Sequence, residues 1–125
     1  MTRIEHVNVT VSAPVKTARV LCRLFGWHVR WQGPAKMGGF SVHVGTDAQY
    51  LALFSPPGAL QDAVDPGLYR SGLNHIGVVV DDLDRTEALV LAAGYLTGSH
   101  ADYDPGRRFY FTEENGVEIE VVSYG

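Results

Sequence analysis

Two stretches of this chain alternate apolar and polar residues in the same way, and each runs into a helical pattern. In residues 4–11, Val7, Val9 and Val11 take one parity, while His6, Asn8 and Thr10 take the other, the period of a β-strand. Residues 73–80 read as its counterpart, with His75, Gly77 and Val79 sharing a face. After the first strand, Val15, Ala18, Leu21, Cys22 and Phe25 form one helical stripe opposite Lys16, Arg19 and Arg23. Ser12 is the expected cap of that helix, with Pro14 accommodated in its first turn. After the second strand, Leu83, Thr86, Leu89, Val90 and Ala93 point inward, and Asp81, Asp82 or Asp84 can cap. Both helices end at a glycine followed by an aromatic residue, Gly26-Trp27 and Gly94-Tyr95.

Three further strands are expected in each half. In the first they are 27–32, 40–44 and 50–54, with Gly33-Pro34 and Gly38-Gly39 bracketing a turn. Phe40, Val42 and Val44 share one face of the middle strand, with Ser41 and His43 on the other. In the second half they are 95–99, 107–112 and 117–123, the last two joined by a hairpin at Asn115-Gly116. His75 lies 69 residues after His6, and Leu83 and Gly94 each lie 68 after Val15 and Gly26. A constant offset across a whole chain indicates a duplicated unit. The pattern predicts an α+β fold of two β-α-β-β-β modules within one domain spanning 1–125. Module 1 covers about 1–54, a Pro- and Gly-rich linker covers 55–72, and module 2 covers about 73–125. A helical turn is expected at 60–64.

Composition adds boundaries to this picture. The 125 residues are 46% hydrophobic, enough for a proper core, and the net charge is −4 with no basic stripe, so no nucleic-acid partner is expected. The single cysteine, Cys22, cannot form an intrachain disulfide and lies on the apolar stripe, as a small buried hydrophobe does. Charges interrupt every hydrophobic run, and no signal peptide is apparent, so a cytoplasmic protein with no membrane partner is expected.

The chemistry lies on the polar faces. His6 and His75 occupy equivalent places in the repeat, and the last strand adds Glu118 and Glu120 on one face. Two imidazoles and a carboxylate suit one divalent ion per site, Fe, Mn, Zn, Ni or Co, with coordination positions left for substrate oxygens. Parity alone leaves Glu118 and Glu120 as alternatives. His43 and Tyr110 fall at matching positions on the cleft-facing parity and are the candidate acid–base residues. Tyr103, Arg107 and Arg108 surround a glycine-containing loop, where they are either surface groups or partners of an anionic substrate.

The paired modules, with histidine-bearing strands before the helices and the terminal run from Asn115 through Gly116 to Glu120 and Val121, resemble the vicinal oxygen chelate superfamily. That group includes glyoxalase I, fosfomycin-resistance thiol transferases, extradiol dioxygenases, methylmalonyl-CoA epimerase and metal-free bleomycin-resistance proteins. The resemblance covers nearly the whole chain and implies sheets forming a U-shaped cleft. It implies His6, His75 and Glu120 as the metal ligands, because the ligand carboxylate follows the turn glycine by four residues. Ala52 stands where glyoxalase I places a further glutamate, which argues against that reaction. The thiol transferases are matched by the Phe-Tyr-Phe core at 109–111, although Asn8 stands where they have threonine and no potassium-binding loop is recognisable. The extradiol signature is approached by His100, Phe109-Tyr110, Gly116 and Glu120, with one residue too many after His100 and Glu114 in place of proline. The resemblance implies a metal-dependent dioxygenase, lyase or isomerase, or thiol transferase acting on a small substrate with vicinal oxygens. The alternative is a metal-free binding protein of bleomycin-resistance type, with Trp27, Trp31, Tyr50 and Phe54 lining its cleft. A homodimer with active sites shared between chains is also implied.

Overall fold

In the computed structural model, which describes residues 1–62, 64–103 and 106–125 and at position 36 the backbone alone, the two expected modules are present. The chain divides into two compact units, Met1–Gln61 and Asp62–Gly125. Each is a four-stranded mixed sheet carrying one helix, so the α+β class and the doubled β-α-β-β-β order both hold.

The first unit comprises β1 (His6–Thr10), α1 (Pro14–Phe25), β2 (His28–Pro34), a 3-10 turn (Lys36–Gly38), β3 (Phe40–Gly45) and β4 (Tyr50–Ser55). Its strands lie in the order β1-β4-β3-β2, with β1 parallel to β4 and the other pairs antiparallel. Val9, Val42, Val44 and Leu53 are buried on the face that α1 covers with Ala18, Leu21 and Leu24. Each such side chain contributes about 1.5–3 kcal/mol when taken fully out of water. Burying these valines turns His6, Asn8 and Thr10 onto the opposite face, as alternation demands. Beside them stand their register partners Tyr50, Ala52 and Phe54.

Two local expectations are corrected here. Ala13, not Ser12, is the N-cap of α1, and its side chain makes no capping bond. Pro14 lacks an N–H and brings a helical φ, so one of the donors that a cap would satisfy is already missing. The turn expected between Gly33-Pro34 and Gly38-Gly39 is present, as the 3-10 turn Lys36–Gly38, but β2 runs past the expected 27–32 to Pro34, because an edge strand tolerates a proline at its end. A methyl group at Gly33 would come within 2.8 Å of the Trp31 ring, so glycine there lets the indole lie against the backbone. At the far end of α1, Gly26 adopts φ 70° and its N–H donates to the Cys22 carbonyl at 2.9 Å, the stop that was expected.

The second unit comprises β5 (Ile76–Val79), α2 (Leu83–Ala92), β6 (Thr97–Tyr103), β7 (Gly106–Thr112) and β8 (Glu118–Ser123), in the order β5-β8-β7-β6. β5 is shorter and β6 longer than the sequence pattern indicates. Val78, Phe109, Phe111, Ile119 and Val121 are buried on the side of α2 that carries Leu83, Thr86 and Val90. Of the three possible caps, Asp82 serves, its Oδ1 accepting the Arg85 N–H at 3.0 Å. The hairpin turn is organised by Glu113, a buried carboxylate accepting from the Asn115 N–H, the Asn115 amide and the Val117 N–H. Before β5, within the second unit, the stretch expected as linker forms turns over 66–71. No helix occurs among described residues 60–62 and 64, and position 63 of the expected turn lies outside the described residues. No helix among the described residues is long and apolar enough to cross a membrane.

Candidate functional site

The helix-free face of each sheet carries the polar residues. In the first unit, a row of rings crosses the four strands. Trp31 on β2 meets His43 on β3 with centroids 5.0 Å apart, His43 stacks on Tyr50 at 4.7 Å, and Tyr50 stacks on His6 at 4.8 Å. Strand order explains the row: β1, β4, β3 and β2 are successive neighbours, so one residue from each shares a line across the sheet. The bulge between Val29 and Trp31 frees Arg30 to lay its guanidinium over Tyr50, 4.3 Å from the ring centroid. Burial, followed by the electrostatic influence of the neighbouring His6 and Arg30, pulls His43 below the ordinary imidazole value, so it is neutral at pH 7. Burial also pushes the Tyr50 phenol up. Trp27, expected with this group, instead packs against Phe25.

In the second unit, His75 lies one residue before β5, and Glu120 is the register partner of Gly77. His75 Nε2 is 3.3 Å from Glu120 Oε1, and Arg108 Nη1 donates to Glu120 Oε2 at 3.0 Å. Tyr110 is the direct cross-strand neighbour of Glu120 and hydrogen-bonds to it, with its ring edge-on to His75 at 5.8 Å. Burial acts to raise the Glu120 carboxyl, but the hydrogen bonds from Tyr110 and Arg108 and the Arg108 charge outweigh it and hold it below the usual range. Burial first, then the bond to Glu120, pushes the Tyr110 phenol up, leaving it a proton donor at neutral pH.

The two histidines are held alike. His6 Nδ1 lies 2.9 Å from the carboxylate of Glu5, and His75 Nδ1 lies 2.8 Å from the amide oxygen of Asn74. In each unit the preceding side chain engages Nδ1, which turns Nε2 away from it, and in the second unit Nε2 faces the Glu120 carboxylate. The set in the second unit has the right size for an ion. Two donors each about 2.1 Å from one metal stand about 3–3.5 Å apart, and Nε2 and Oε1 are separated by 3.3 Å. Among the described residues, neither unit alone gathers three His, Cys, Asp or Glu side chains for a metal.

Sequence reasoning grouped several residues that the structure separates. His100 lies on the α2 side of its sheet, against buried Phe109, with Nε2 2.6 Å from Glu87 Oε2. It therefore stands on the face opposite Glu120, and the extradiol-like signature does not assemble. Arg107 turns to the same side as His100 and pairs with Asp84 at 2.9 Å, whereas Arg108 turns to Glu120. Alternation along β7 separates the two arginines, a consequence readable once β7 is known to begin at Gly106. Glu118 pairs in register with Thr112 and makes no contact with His75 that resembles that of Glu120. The supporting roles of Glu5, Asn74 and Arg108 went unread; a polar acceptor directly before each repeated histidine was the available signal.

Glu87 also accepts a hydrogen bond from Thr97, and these bonds, Thr97 before His100, hold its carboxyl below the ordinary value despite some burial. A depressed carboxyl contributes stability above its unfolded value and loses it as pH falls through the folded one. Glu87→Gln is expected to cost about 1 kcal/mol at neutral pH and nothing in acid, where wild type has lost the same contribution. Urea midpoints that differ equally at both pH values would contradict this.

A family model described as Glyoxalase/Bleomycin resistance protein/Dioxygenase superfamily matches residues 3–121. Among solved structures, a glyoxylase/bleomycin resistance protein/dioxygenase domain from Frankia sp. EAN1pec is similar with a TM-score of 0.83 at 19% identity, covering 100% of this chain and 99% of that one. The fosfomycin resistance protein FosX from Listeria monocytogenes, complexed with Mn(II) and sulfate, is similar at 0.71 and 14% identity, covering 98% and 93%. TnmS3, an antibiotic binding protein from Streptomyces sp. CB03234, is similar at 0.72 and 16% identity, covering 100% and 98%. No curated protein sequence gives a significant match.

Proposed function

This chain belongs to the Glyoxalase/Bleomycin resistance protein/Dioxygenase superfamily, and within it we propose that the protein is a divalent-metal-dependent enzyme acting on a small substrate with adjacent oxygens. His6, His75 and Glu120 are the proposed ligands. The observation that carries this reading is the matched holding of the two histidines, each with Nδ1 engaged by the preceding side chain, and in the second unit with Nε2 facing the Glu120 carboxylate at 3.3 Å. Structural histidines have no reason to share that arrangement at equivalent repeat positions. The Mn(II) held by FosX, a protein of the same fold, supports the same class of ion.

A bound divalent ion supplies Lewis acidity to two substrate oxygens and stabilises charge that develops on them. The chain's own groups do the rest. Asn74 keeps the His75 ring in the ligating tautomer and orientation. Arg108 fixes the Glu120 carboxylate through Oε2, leaving Oε1 turned toward His75. Tyr110 holds a proton on Oη beside that carboxylate and is the proposed general acid, while neutral His43 is the proposed base. Ala52, which is buried and bears no donor, leaves the position opposite Asn8 without a ligand, as a site with room for a bidentate substrate requires. We further propose a homodimer in which His6 comes from one chain and His75 with Glu120 from its partner. The histidine-bearing strand of each unit, β1 or β5, is an outer strand of its own sheet, with an edge that such pairing can use.

A second reading, a metal-free binding protein, is favoured by the ring row Trp31, His43, Tyr50 and His6, an aromatic wall of the kind that holds flat ligands. TnmS3 shares that fold. Metal analysis of protein purified without chelator separates the readings. Near-stoichiometric metal, with catechol binding the loaded protein and not the stripped one, is expected. Equal binding to both forms sinks the chelation reading.

A further inference from the structure

Arg108 carries more donors than its surroundings take up. Its side chain is only 12% exposed, yet a guanidinium offers five N–H groups in a planar fork. Nη1 donates to Glu120, Nη2 reaches the Gly106 carbonyl at a long 3.4 Å, and Nε is buried with no partner among the described residues. The carboxylate beside it is a shared one. Glu120 also accepts from Tyr110, and its other oxygen is turned to His75. Arg107 makes the contrast, since it has Asp84 as its own partner at 2.9 Å. The register partner of Arg108 on β8 is Val122, which offers no side-chain acceptor. The Tyr103 ring lies over the guanidinium, 4.6 Å from its carbon, and fixes its plane.

A buried donor without an acceptor is costly, and the one carboxylate that Arg108 pairs with among the described residues is shared with Tyr110 and His75. Both deficits are met by one oxyanion. We propose that Arg108 recognises the anionic group of the ligand, a carboxylate or a phosphoryl-type oxyanion, through the planar fork. The substrate is then an oxyacid and not a neutral dicarbonyl or aldehyde. The inference rests on the ligand lying beside Glu120, as in the function proposed above. It does not require the metal. Arginine suits the task because its fork takes two oxygens of a planar or tetrahedral anion at once, which a lysine ammonium does not.

The test is calorimetric titration of the full chain, metal-loaded and metal-stripped, with pyruvate, inorganic phosphate and neutral 2,3-butanedione. Wild type is expected to prefer pyruvate over butanedione by roughly tenfold or more, and Arg108→Gln to lose that preference and phosphate binding together. Arg108→Lys, the milder variant should the first not fold, is expected to bind phosphate several-fold more weakly than wild type. Unchanged anion affinity in either folded variant, or no anion preference in wild type, overturns the proposal. A change in melting temperature alone, with anion affinity intact, indicates a structural arginine and also overturns it. Metal content read on the same samples keeps the two inferences apart. Anion binding that depends on Arg108 in a protein taking up no metal upholds this proposal and defeats the metal reading.

Discussion

Alanine at His6, His75 or Glu120 is expected to abolish stoichiometric uptake of a divalent ion, whereas Glu118→Ala leaves it intact. Each ligand supplies one of three protein donors, so a single loss lowers affinity by at least about 100-fold, more than loss of an outer partner costs. Equilibrium dialysis against Mn(II) or Zn(II) with elemental analysis reads the result. Full occupancy in the Glu120 variant would remove that residue from the set. The two histidine variants are expected to stay folded, because His6 and His75 are exposed residues at or just before strand starts and neither belongs to a core. The same variants test the shared site. Mixed His6→Ala and His75→Ala protein, unfolded and refolded together, should regain one intact site per heterodimer. A confirmed heterodimer without metal, or a monomer in sedimentation, counts against sharing.

Asn74→Ala and Glu5→Ala are milder companions to those variants. They release Nδ1 without removing the ligand, and second partners of this kind are worth about 10–100-fold in metal affinity. Metal binding unchanged in both would mean that these contacts orient nothing.

Much of this was legible in the sequence, for a physical reason. Alternation in Val7, Val9 and Val11 and in Phe40, Val42 and Val44 assigns faces, because a slip of one residue would expose every valine. The same rule put His6, His43, Tyr110 and Glu120 on the polar faces, where they are found. The offset between repeats is preserved in the register itself: Asn8 pairs with Ala52 as Gly77 pairs with Glu120. What escaped were features decided by tertiary context. Ser12 looks a better cap than Ala13, yet Pro14 had already removed a donor. Gly33-Pro34 looks like the end of β2, but an edge strand tolerates both residues and runs on to Pro34. His100 came within one residue of a family spacing, yet a bulge between Gly98 and Ala101 shifts β6 relative to β7, and its ring meets Glu87 on the far face. A register shift of this kind leaves no mark in residue types. Arg108 was grouped with Arg107 beside one loop, although one step of alternation assigns them to opposite faces.

Phe109→Ala is expected to cost about 3–5 kcal/mol, the largest effect of any single core truncation in the second unit. Phe109 is completely buried, between α2 and the middle of the β5-β8-β7-β6 sheet, and is the largest side chain so placed in the chain. Small domains are stable by only about 5–15 kcal/mol, so one such cavity removes a large share of the total. Its neighbours along β7 are Arg108 and Tyr110, and its register partner on β8 is Val121, next to Glu120. The cavity would therefore loosen the strand pair that carries the site without touching any proposed ligand. Urea unfolding of metal-stripped protein measures the cost, and Phe109→Leu should lose far less because most of the volume is kept. Added metal should then recover stability by mass action, about 2.7 kcal/mol at a hundredfold excess over its dissociation constant. If the folded variant instead binds metal as poorly as Glu120→Ala, Phe109 does more than hold the sheet, and the separation drawn between core face and site face fails.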